Sequence, residues 1–182
     1  MKKYNVGIIG FGWVAGAHLE AFKSLDKYRP HSILSSRKLD PVVLKAEHGV
    51  DVKVYNDMAA FLADPDLDVV DICTPHFLHK EQTIAASNAG KQIIIEKPIA
   101  LNYPDSVEML DAVRKNGTLT SICFELRFIS SAIAQRSIID KELIGDVYYG
   151  EADYYHGIGP WYANQRWEVE KRYGGSSLLR AG

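Results

Sequence analysis

The chain has 182 residues, of which 47% are hydrophobic and 24% are charged, and its formal net charge is −2. This composition is typical of a globular protein and provides no surplus of basic residues for nucleic acid, so we expect a small-molecule partner and no nucleic acid. No apolar run in the sequence is long enough to span a bilayer, so we expect no membrane association. Cys73 and Cys123 lie in apolar, strand-like runs, which predicts buried free thiols in a reducing cytoplasmic compartment and neither a disulfide nor a metal site.

Residues 4–18, YNVGIIGFGWVAGAH, allow two interpretations. The basic start, the apolar run and the small residues 15–17 resemble a secretory signal with its cleavage site. Asn5 and four glycines interrupt the run, however, and an amphipathic pattern continues after it. Those features favour the second interpretation, a strand that leads into a phosphate-binding loop.

This loop matches the dinucleotide-binding pattern G-x-G-x-x-A, with Gly10, Gly12 and Ala15 at its fixed positions. Gly10 would permit a tight turn, and Gly12 would let a pyrophosphate approach the amides at a helix N-terminus. The predicted cofactor contacts of the loop are Gly10, Phe11, Gly12, Trp13 and Val14. The predicted apolar face of the following helix comprises Ala17, Leu19, Ala21, Phe22 and Leu25.

Short apolar runs alternate with helical patterns through most of the remaining chain, which indicates strand-helix-strand units and a parallel sheet. Further strands are predicted at 31–36, 51–55, 68–74, 92–96 and 118–124. Helices are predicted at 41–48, 57–63, 76–89 and 104–115. Six strands with intervening helices are what a dinucleotide-binding domain requires, so we predict an α/β fold, a doubly wound parallel Rossmann sheet, in residues 1–124.

Residues 125–182 are predicted to begin a second domain. A linking helix is expected at 130–139, and beyond Gly145 the chain becomes aromatic and extended, which predicts a strand of a different sheet followed by a loop. The aromatic residues Tyr154, Tyr155, Trp161 and Trp167 could stack on a sugar, although packing on a sheet explains such residues more often.

The residues after the second predicted strand bear on the choice of cofactor. An NAD-selective domain usually places Asp or Glu about 20 residues beyond the glycine motif. Here that position is Ser36, and Arg37 and Lys38 follow it. A hydroxyl and two cations suit a 2′-phosphate, so we predict NADP, with NAD also possible and a solvent-exposed basic turn as the alternative.

Several ordered motifs resemble the glucose-fructose oxidoreductase and inositol dehydrogenase family, Gfo/Idh/MocA. They are CTPHFLH (73–79), EKPIA (96–100), FELRF (124–128), LIGDVYYGEADY (143–154) and GGSSLLRAG (174–182). The resemblance implies an N-terminal Rossmann domain and a C-terminal α+β domain built on an open, mostly antiparallel sheet. It also implies a sugar, cyclitol or related polyol as substrate and a homo-oligomer assembled through the C-terminal sheet.

The resemblance further implies that Lys97 is the catalytic residue, beside the nicotinamide and the substrate hydroxyl, where an ammonium can hold an alkoxide or transfer its proton. Glu96 would orient Lys97 or simply end the strand, and the bond before Pro98 is expected to be cis. Thr74 and Pro75 would line the ribose and nicotinamide side of the cofactor.

Two further residues of these motifs have open roles. His79 matches the family pattern T-P-x-x-x-H, as a cofactor contact or as a structural residue. Arg127 matches the R-F motif near the cleft, or anchors the helix that links the domains.

The sequence also departs from the family. His76 stands where members commonly carry Asn, and Arg180 stands at the Asp position of the pattern G-G-x-x-x-x-D-x-G-x-H, which the chain does not complete before Gly182. We therefore expect a C-terminally incomplete second domain. The leading hypothesis is the N-terminal part of an NADP-dependent polyol oxidoreductase; the alternative is a non-catalytic NADP-binding or regulatory module.

Overall fold

The structure is a computed structural model that describes residues 2–153, 167, 170–176 and 179. Its strands are β1 (Tyr4–Ile9), β2 (Tyr28–Leu34), β3 (Lys53–Tyr55), β4 (Val69–Ile72), β5 (Gln92–Glu96) and β6 (Thr120–Cys123). Its helices are α1 (Trp13–Ser24), α2 (Pro41–His48), α3 (Met58–Leu62), α4 (His79–Asn88), α5 (Tyr103–Asn116), α6 (Ser130–Asp140) and α7 (Lys171–Gly174). Short 3₁₀ turns cover His76–Leu78 and Glu125–Phe128.

The six strands form one parallel sheet in the order β3-β2-β1-β4-β5-β6. The strand order reverses between β1 and β4, which makes the sheet doubly wound and confirms the predicted Rossmann architecture. Residues 4–9 form β1, the strand on one side of this reversal. The alternative interpretation of these residues was the apolar run of a secretory signal. Ligands of such sheets bind outside the carboxyl ends of the strands at the reversal.

Two apolar cores lie on opposite faces of the sheet because successive residues of a strand point to opposite sides. On β1, Ile8 joins one core and Ile9 joins the other. The first core also contains residues of α1 and α2, and the second contains residues of α3, α4 and α5. The α/β layering therefore buries β1 and β4 on both faces and fixes the ends of these strands.

Helix boundaries near the sheet follow local capping chemistry. The side chain of Asp40 accepts a hydrogen bond from the Val42 amide at the start of α2, and Gly49 ends that helix in the left-handed conformation. At α5, Asn102 caps the first turn and Gly117 ends the helix in the same way. The predicted helix over 76–89 instead begins with a 3₁₀ turn, and α4 starts at His79.

The predicted apolar face of α1 was partly wrong. Leu19 and Phe22 are buried as expected, but Ala17, Ala21 and Leu25 are exposed. The buried stripe runs through Ala15, Leu19 and Phe22, which follow the spacing of four and three residues that one helix face requires. Ala17 and Ala21 lie off this stripe, and Leu25 lies beyond the last residue of the helix.

The strand predicted beyond Gly145 is not formed over residues 146–153, which carry no regular secondary structure. A strand is stable only when its amide and carbonyl groups pair with a neighbouring strand, and no such pairing is present for 146–153 within the described residues. The loop predicted to follow it, with Tyr154, Tyr155 and Trp161, lies outside the described residues, as does Arg180. The linking helix is present as α6. Among the described residues, no helix is long and apolar enough to cross a membrane.

Candidate cofactor-binding and active site

The glycine loop lies where β1 ends against β4. Gly10 has φ +85°, and a Cβ added there would lie 2.8 Å from Thr74 Cγ2 and 2.9 Å from the Cys73 carbonyl oxygen. The Gly10 amide also donates to the Leu34 carbonyl at 2.8 Å, which ties the loop to the end of β2. Only glycine fits this position, because both its backbone conformation and its close neighbour exclude a side chain.

Gly12 is the N-cap of α1, and its surroundings are different. A Cβ added at Gly12 would meet no atom within 4 Å, and no side chain caps the first turn of the helix. Ala15 is fully buried one turn later, so the helix packs closely against the sheet. The first amides of α1 therefore face open space at a helix N-terminus, a setting that favours a phosphate group.

A cleft of about 640 Å³ opens beside this loop. Its walls include Phe11, Gly12 and Trp13 from the loop and Arg37, Lys38 and His48 from the opposite side. Trp13 is 88% exposed, and the Phe11 ring packs edge-on against His48. Val14 is half-buried and packs against the first core.

The basic residues after β2 are exposed but not all of them extend freely into solvent. The Arg37 guanidinium donates a hydrogen bond to the Phe11 carbonyl oxygen, and the Arg37 amide donates to Ser35 Oγ at 3.1 Å. Ser36 and Lys38 are exposed next to it. The predicted loop and the predicted basic segment thus meet at one cleft.

Thr74 and Pro75 follow the end of β4, next to the glycine loop. Thr74 Oγ1 donates to Gln82 of α4, while the Thr74 carbonyl oxygen lies 3.0 Å from Nε2 of His79. The other ring nitrogen of His79 lies 2.9 Å from the Pro98 carbonyl oxygen. Burial lowers the pKa of His79 despite these carbonyls, and its ring is fully buried. His79 thus lies in the interior, where its ring connects the turn after β4 to the turn after β5.

Lys97 lies at the position past β5 that Thr74 occupies past β4, because Ile72 and Ile95 are partners in the parallel register. Its side chain is 36% exposed, and Nζ lies 3.8 Å from Oε1 of Glu125 beyond β6. The bond between Lys97 and Pro98 is cis, as expected. Lys97 therefore lies at the carboxyl edge of the sheet, next to the carboxylate of Glu125. No role was predicted for Glu125 from the sequence.

Arg127 lies in the 3₁₀ turn after β6, and its guanidinium stands over the Phe124 ring at 5.2 Å from the ring centroid. Trp167 packs near the turn after β4, with its ring centroid 5.1 Å from that of His76 and 6.2 Å from that of Phe77. The role of Arg127 as a cofactor contact stays a prediction. Trp167 packs against aromatic residues of a turn and not on the sheet, and its role in stacking on a sugar stays a prediction.

A buried ionic cluster between α1, β4 and β5 was not predicted from the sequence. His18 of α1 lies with Nδ1 2.9 Å from Asp71 Oδ2 and with Nε2 3.0 Å from Glu96 Oε1. Asp71 is fully buried in the middle of the apolar run 68–74. A carboxylate inside such a run requires a partner, and that requirement is the signal that could have revealed the cluster.

Charge and burial act together on this cluster. Burial by itself lowers the pKa of His18, but hydrogen bonds to Asp71 and Glu96 outweigh it and raise the pKa to about 10. Burial, with the nearby carboxylates, raises the pKa of the Cys73 thiol well above its usual range and that of Cys123 to about 12. Both cysteines are free and both favour the neutral thiol; Cys73 is buried as expected, whereas Cys123 is only half-buried.

Within the part of the chain that the structure describes, three groups of side chains are spaced closely enough to hold a metal ion: His18 with Asp71 and Cys73, His18 with Glu96 and Cys123, and His31 with Asp64 and Asp66. In the first two groups, His18 already uses both ring nitrogens in hydrogen bonds to carboxylates. In the third, the Asp64 carboxylate is engaged by His31, Lys53 and Tyr55. The expectation of no metal stays a prediction.

Comparison with known proteins gives a family and several relatives. The Gfo/Idh/MocA oxidoreductase family, described by its NAD-binding Rossmann fold, matches residues 4–124. Levoglucosan dehydrogenase of Pseudarthrobacter phenanthrenivorans is 32% identical over 190 residues, covering 98% of this chain and 48% of the relative. Myo-inositol 2-dehydrogenase of Thermotoga maritima is 29% identical over 141 residues, covering 78% of this chain and 42% of the relative.

A solved structure of scyllo-inositol dehydrogenase from Lactobacillus casei, with bound NAD(H) and scyllo-inositol, is similar with a TM-score of 0.73 and 26% identity. That similarity covers 80% of this chain and 43% of the other. An NAD-binding oxidoreductase from Klebsiella pneumoniae is similar with a TM-score of 0.75 and 26% identity, over 96% of this chain and 48% of the other. The chain spans about half the length of the curated relatives it matches.

Proposed function

Because the chain belongs to the Gfo/Idh/MocA family of oxidoreductases with an NAD-binding Rossmann fold, we propose that the whole protein is an NADP-dependent dehydrogenase. Its substrate class is a sugar, cyclitol or related polyol, in which one CH–OH group is interconverted with a ketone. The relatives named as levoglucosan and inositol dehydrogenases support this class. The observation that carries the proposal is Lys97 at the carboxyl edge of β5, two strands from the open glycine loop.

The residues of this chain fit a dinucleotide. Gly12 has open space beside it at the start of α1, which supports binding of the pyrophosphate there, and Arg37 and Lys38 would pair with a 2′-phosphate. Thr74 and Pro75 would line the ribose on the nicotinamide side. When bound, the cofactor supplies the hydride acceptor for oxidation, or the donor for reduction.

Lys97 acts on the substrate oxygen. As a neutral amine its Nζ would accept a hydrogen bond from the hydroxyl and take up the proton during oxidation, and as an ammonium it would donate to the carbonyl oxygen and return the proton during reduction. Glu125, 3.8 Å away, is the carboxylate to which that proton can pass toward solvent, since its side chain is 57% exposed. Glu96 does not face the substrate, because its two oxygens are held by His18 and by the Lys97 amide.

The test is reduction of NADP by the whole protein across a panel of polyols, followed by absorbance. Lys97→Met should lower kcat by about 100-fold or more, because a general acid-base group contributes that much. NADPH affinity should stay within about twofold, since Lys97 lies away from the phosphates. The matched control, Lys45→Met, removes an exposed lysine paired with Asp51 and should leave both quantities unchanged.

Full activity in the Lys97→Met variant would remove this residue from the mechanism. Tight NADPH binding by the wild type with no turnover on any polyol would contradict the dehydrogenase assignment. That second result would favour a non-catalytic NADP-binding module.

A further inference from the structure

His18 lies at a junction of three elements that the proposed reaction needs. It belongs to α1, which begins at the open glycine loop, and its ring bridges Asp71 of β4 and Glu96 of β5. The side chains of His18 and Glu96 are only 16% and 13% exposed, and Asp71 is fully buried. One imidazole therefore connects the helix that begins at the glycine loop to the two strands that precede Thr74 and Lys97.

The ring contacts require a cation. Both ring nitrogens lie within hydrogen-bond distance of carboxylate oxygens, which only accept, so the imidazole donates from both nitrogens. The resulting charge-assisted bonds are shorter and stronger than neutral ones. The thiol of Cys73, 3.5 Å from Nδ1, adds no charge because burial and the adjacent carboxylates favour its protonated form.

The second oxygen of Glu96 transmits this constraint to Lys97. Glu96 Oε2 accepts a hydrogen bond from the Lys97 amide at 3.1 Å, while Oε1 is held by His18. Rotation of the carboxylate would break both bonds together. The backbone of Lys97 is thereby tied, through Glu96 and His18, to the helix whose N-terminus faces the cofactor phosphates.

We propose that His18 is a positioning residue that couples the glycine-loop helix to the backbone of Lys97 through Glu96. The effect of this coupling on catalysis rests on the proposed function. The coupling itself depends only on contacts within the chain. A displacement of α1 on cofactor binding then shifts the backbone of Lys97. Loss of the hydrogen bonds made by His18 removes this restraint on Lys97.

Residue-resolved amide hydrogen exchange of the ¹⁵N-labelled chain tests the coupling without cofactor or substrate. In His18→Gln and Glu96→Ala, the Lys97 amide should exchange at least about tenfold faster than in the wild type, while amides within α5 should change little. Two variants are used because His18→Gln leaves two buried carboxylates facing each other and can fail to fold, whereas Glu96→Ala removes the oxygen that accepts from the Lys97 amide and leaves His18 paired with Asp71.

The matched control is His31→Gln, which removes a second buried histidine, bonded to Asp64 at 2.9 Å in another part of the sheet. This variant should not accelerate exchange of the Lys97 amide more than exchange of other amides. Equal Lys97 exchange in the wild type and both bridge variants would overturn the proposal. So would a selective acceleration at Lys97 in His31→Gln as large as that in the bridge variants.

A second readout is the dissociation constant of NADPH by calorimetry. We expect His18→Gln to weaken binding by about three- to tenfold, and unchanged binding would overturn the coupling to the loop. If the wild type itself binds no NADPH, the proposed function fails, and a selective exchange response at Lys97 still establishes the His18–Glu96–Lys97 link. The two failures are therefore distinguishable.

Discussion

Arg37 is the residue on which the predicted cofactor preference depends. Its guanidinium donates a hydrogen bond to the Phe11 carbonyl oxygen and lines the cleft beside the glycine loop. A guanidinium in this place can pair with a 2′-phosphate that NAD lacks. We expect Arg37→Ala to raise the dissociation constant of NADPH by about tenfold and that of NADH by less than about twofold, measured by calorimetry.

Arg29→Ala provides the control for this prediction. Arg29 is an exposed arginine on β2, and it bonds to Asn5. Its removal should change neither affinity. Equal NADPH and NADH affinities in the wild type, or an NADPH preference that survives Arg37→Ala, would contradict the assignment of the 2′-phosphate to this residue.

His18 gives the chain a distinctive dependence on alkaline pH. Its pKa is about 10 in the folded chain and near 6.5 when it is exposed, so its contribution to stability is complete below pH 6.5 and is lost as pH rises through about 10. The groups that face it are Asp71, Glu96 and the thiols of Cys73 and Cys123. We expect the difference in unfolding free energy between wild type and His18→Gln, from urea titrations, to shrink from pH 6 to pH 10. A constant difference over this range would contradict a charged His18.

At the scale of elements, Asp64 joins β2, β3 and the connection between α3 and β4. Its carboxylate is bonded to His31 and Tyr55 at 2.9 and 2.8 Å and to Lys53 at 3.0 Å. Burial by itself raises the pKa of Asp64, but these bonds and the Asp66 amide outweigh it and hold the pKa well below its usual range. Stability from this group is therefore present above pH 4 and is lost as pH falls.

We expect Asp64→Ala to destabilise the chain by about 2–4 kcal/mol in urea titrations at pH 7, because it leaves buried partners unpaired. Asp66→Ala, at a neighbouring carboxylate whose side chain is 66% exposed, should cost less than about 1 kcal/mol. Equal losses in the two variants would show that burial of Asp64 does not decide its contribution.

The elements also show which features the sequence could predict. Strand and helix order follows from local signals, such as the apolar run of β5 and the caps Asn102 and Gly117 of α5, and these predictions hold to within a few residues. Which residues of α1 are buried depends on the angle at which the helix meets the sheet, so Ala17 and Ala21 were misplaced.

The residues of the candidate site that belong to a sequence motif could be predicted. Gly10, Gly12 and Lys97 stand in recognisable patterns, and the sheet brings their strands together at one edge. His18 was not predictable in the same way, because its partners come from positions 71 and 96, far along the chain. Asp71 within an apolar run was the one local sign that a buried cation was needed.

At the level of the molecule, the described residues form a Rossmann domain of the NAD-binding type, which is followed by the helix α6 and a segment without regular secondary structure. Ile133, Leu143 and Val147 are among the exposed apolar residues of this helix and segment. A substrate domain over 125–182, and a homo-oligomer assembled through its sheet, remain predictions. The chain spans about half the length of its curated relatives.

We expect a nicotinamide dinucleotide to bind with its phosphates over Gly12 at the start of α1. The decisive measurement is calorimetric titration of the wild type and Gly12→Ala with NADPH, with the melting temperature measured on the same samples. The new Cβ would meet no protein atom within 4 Å, so the melting temperature should not fall, whereas the methyl group would occupy the space needed by the phosphates. We expect the wild type to bind and Gly12→Ala to lose at least about tenfold in affinity. Absence of binding by the folded wild type, or equal affinity in the variant, would contradict the claim.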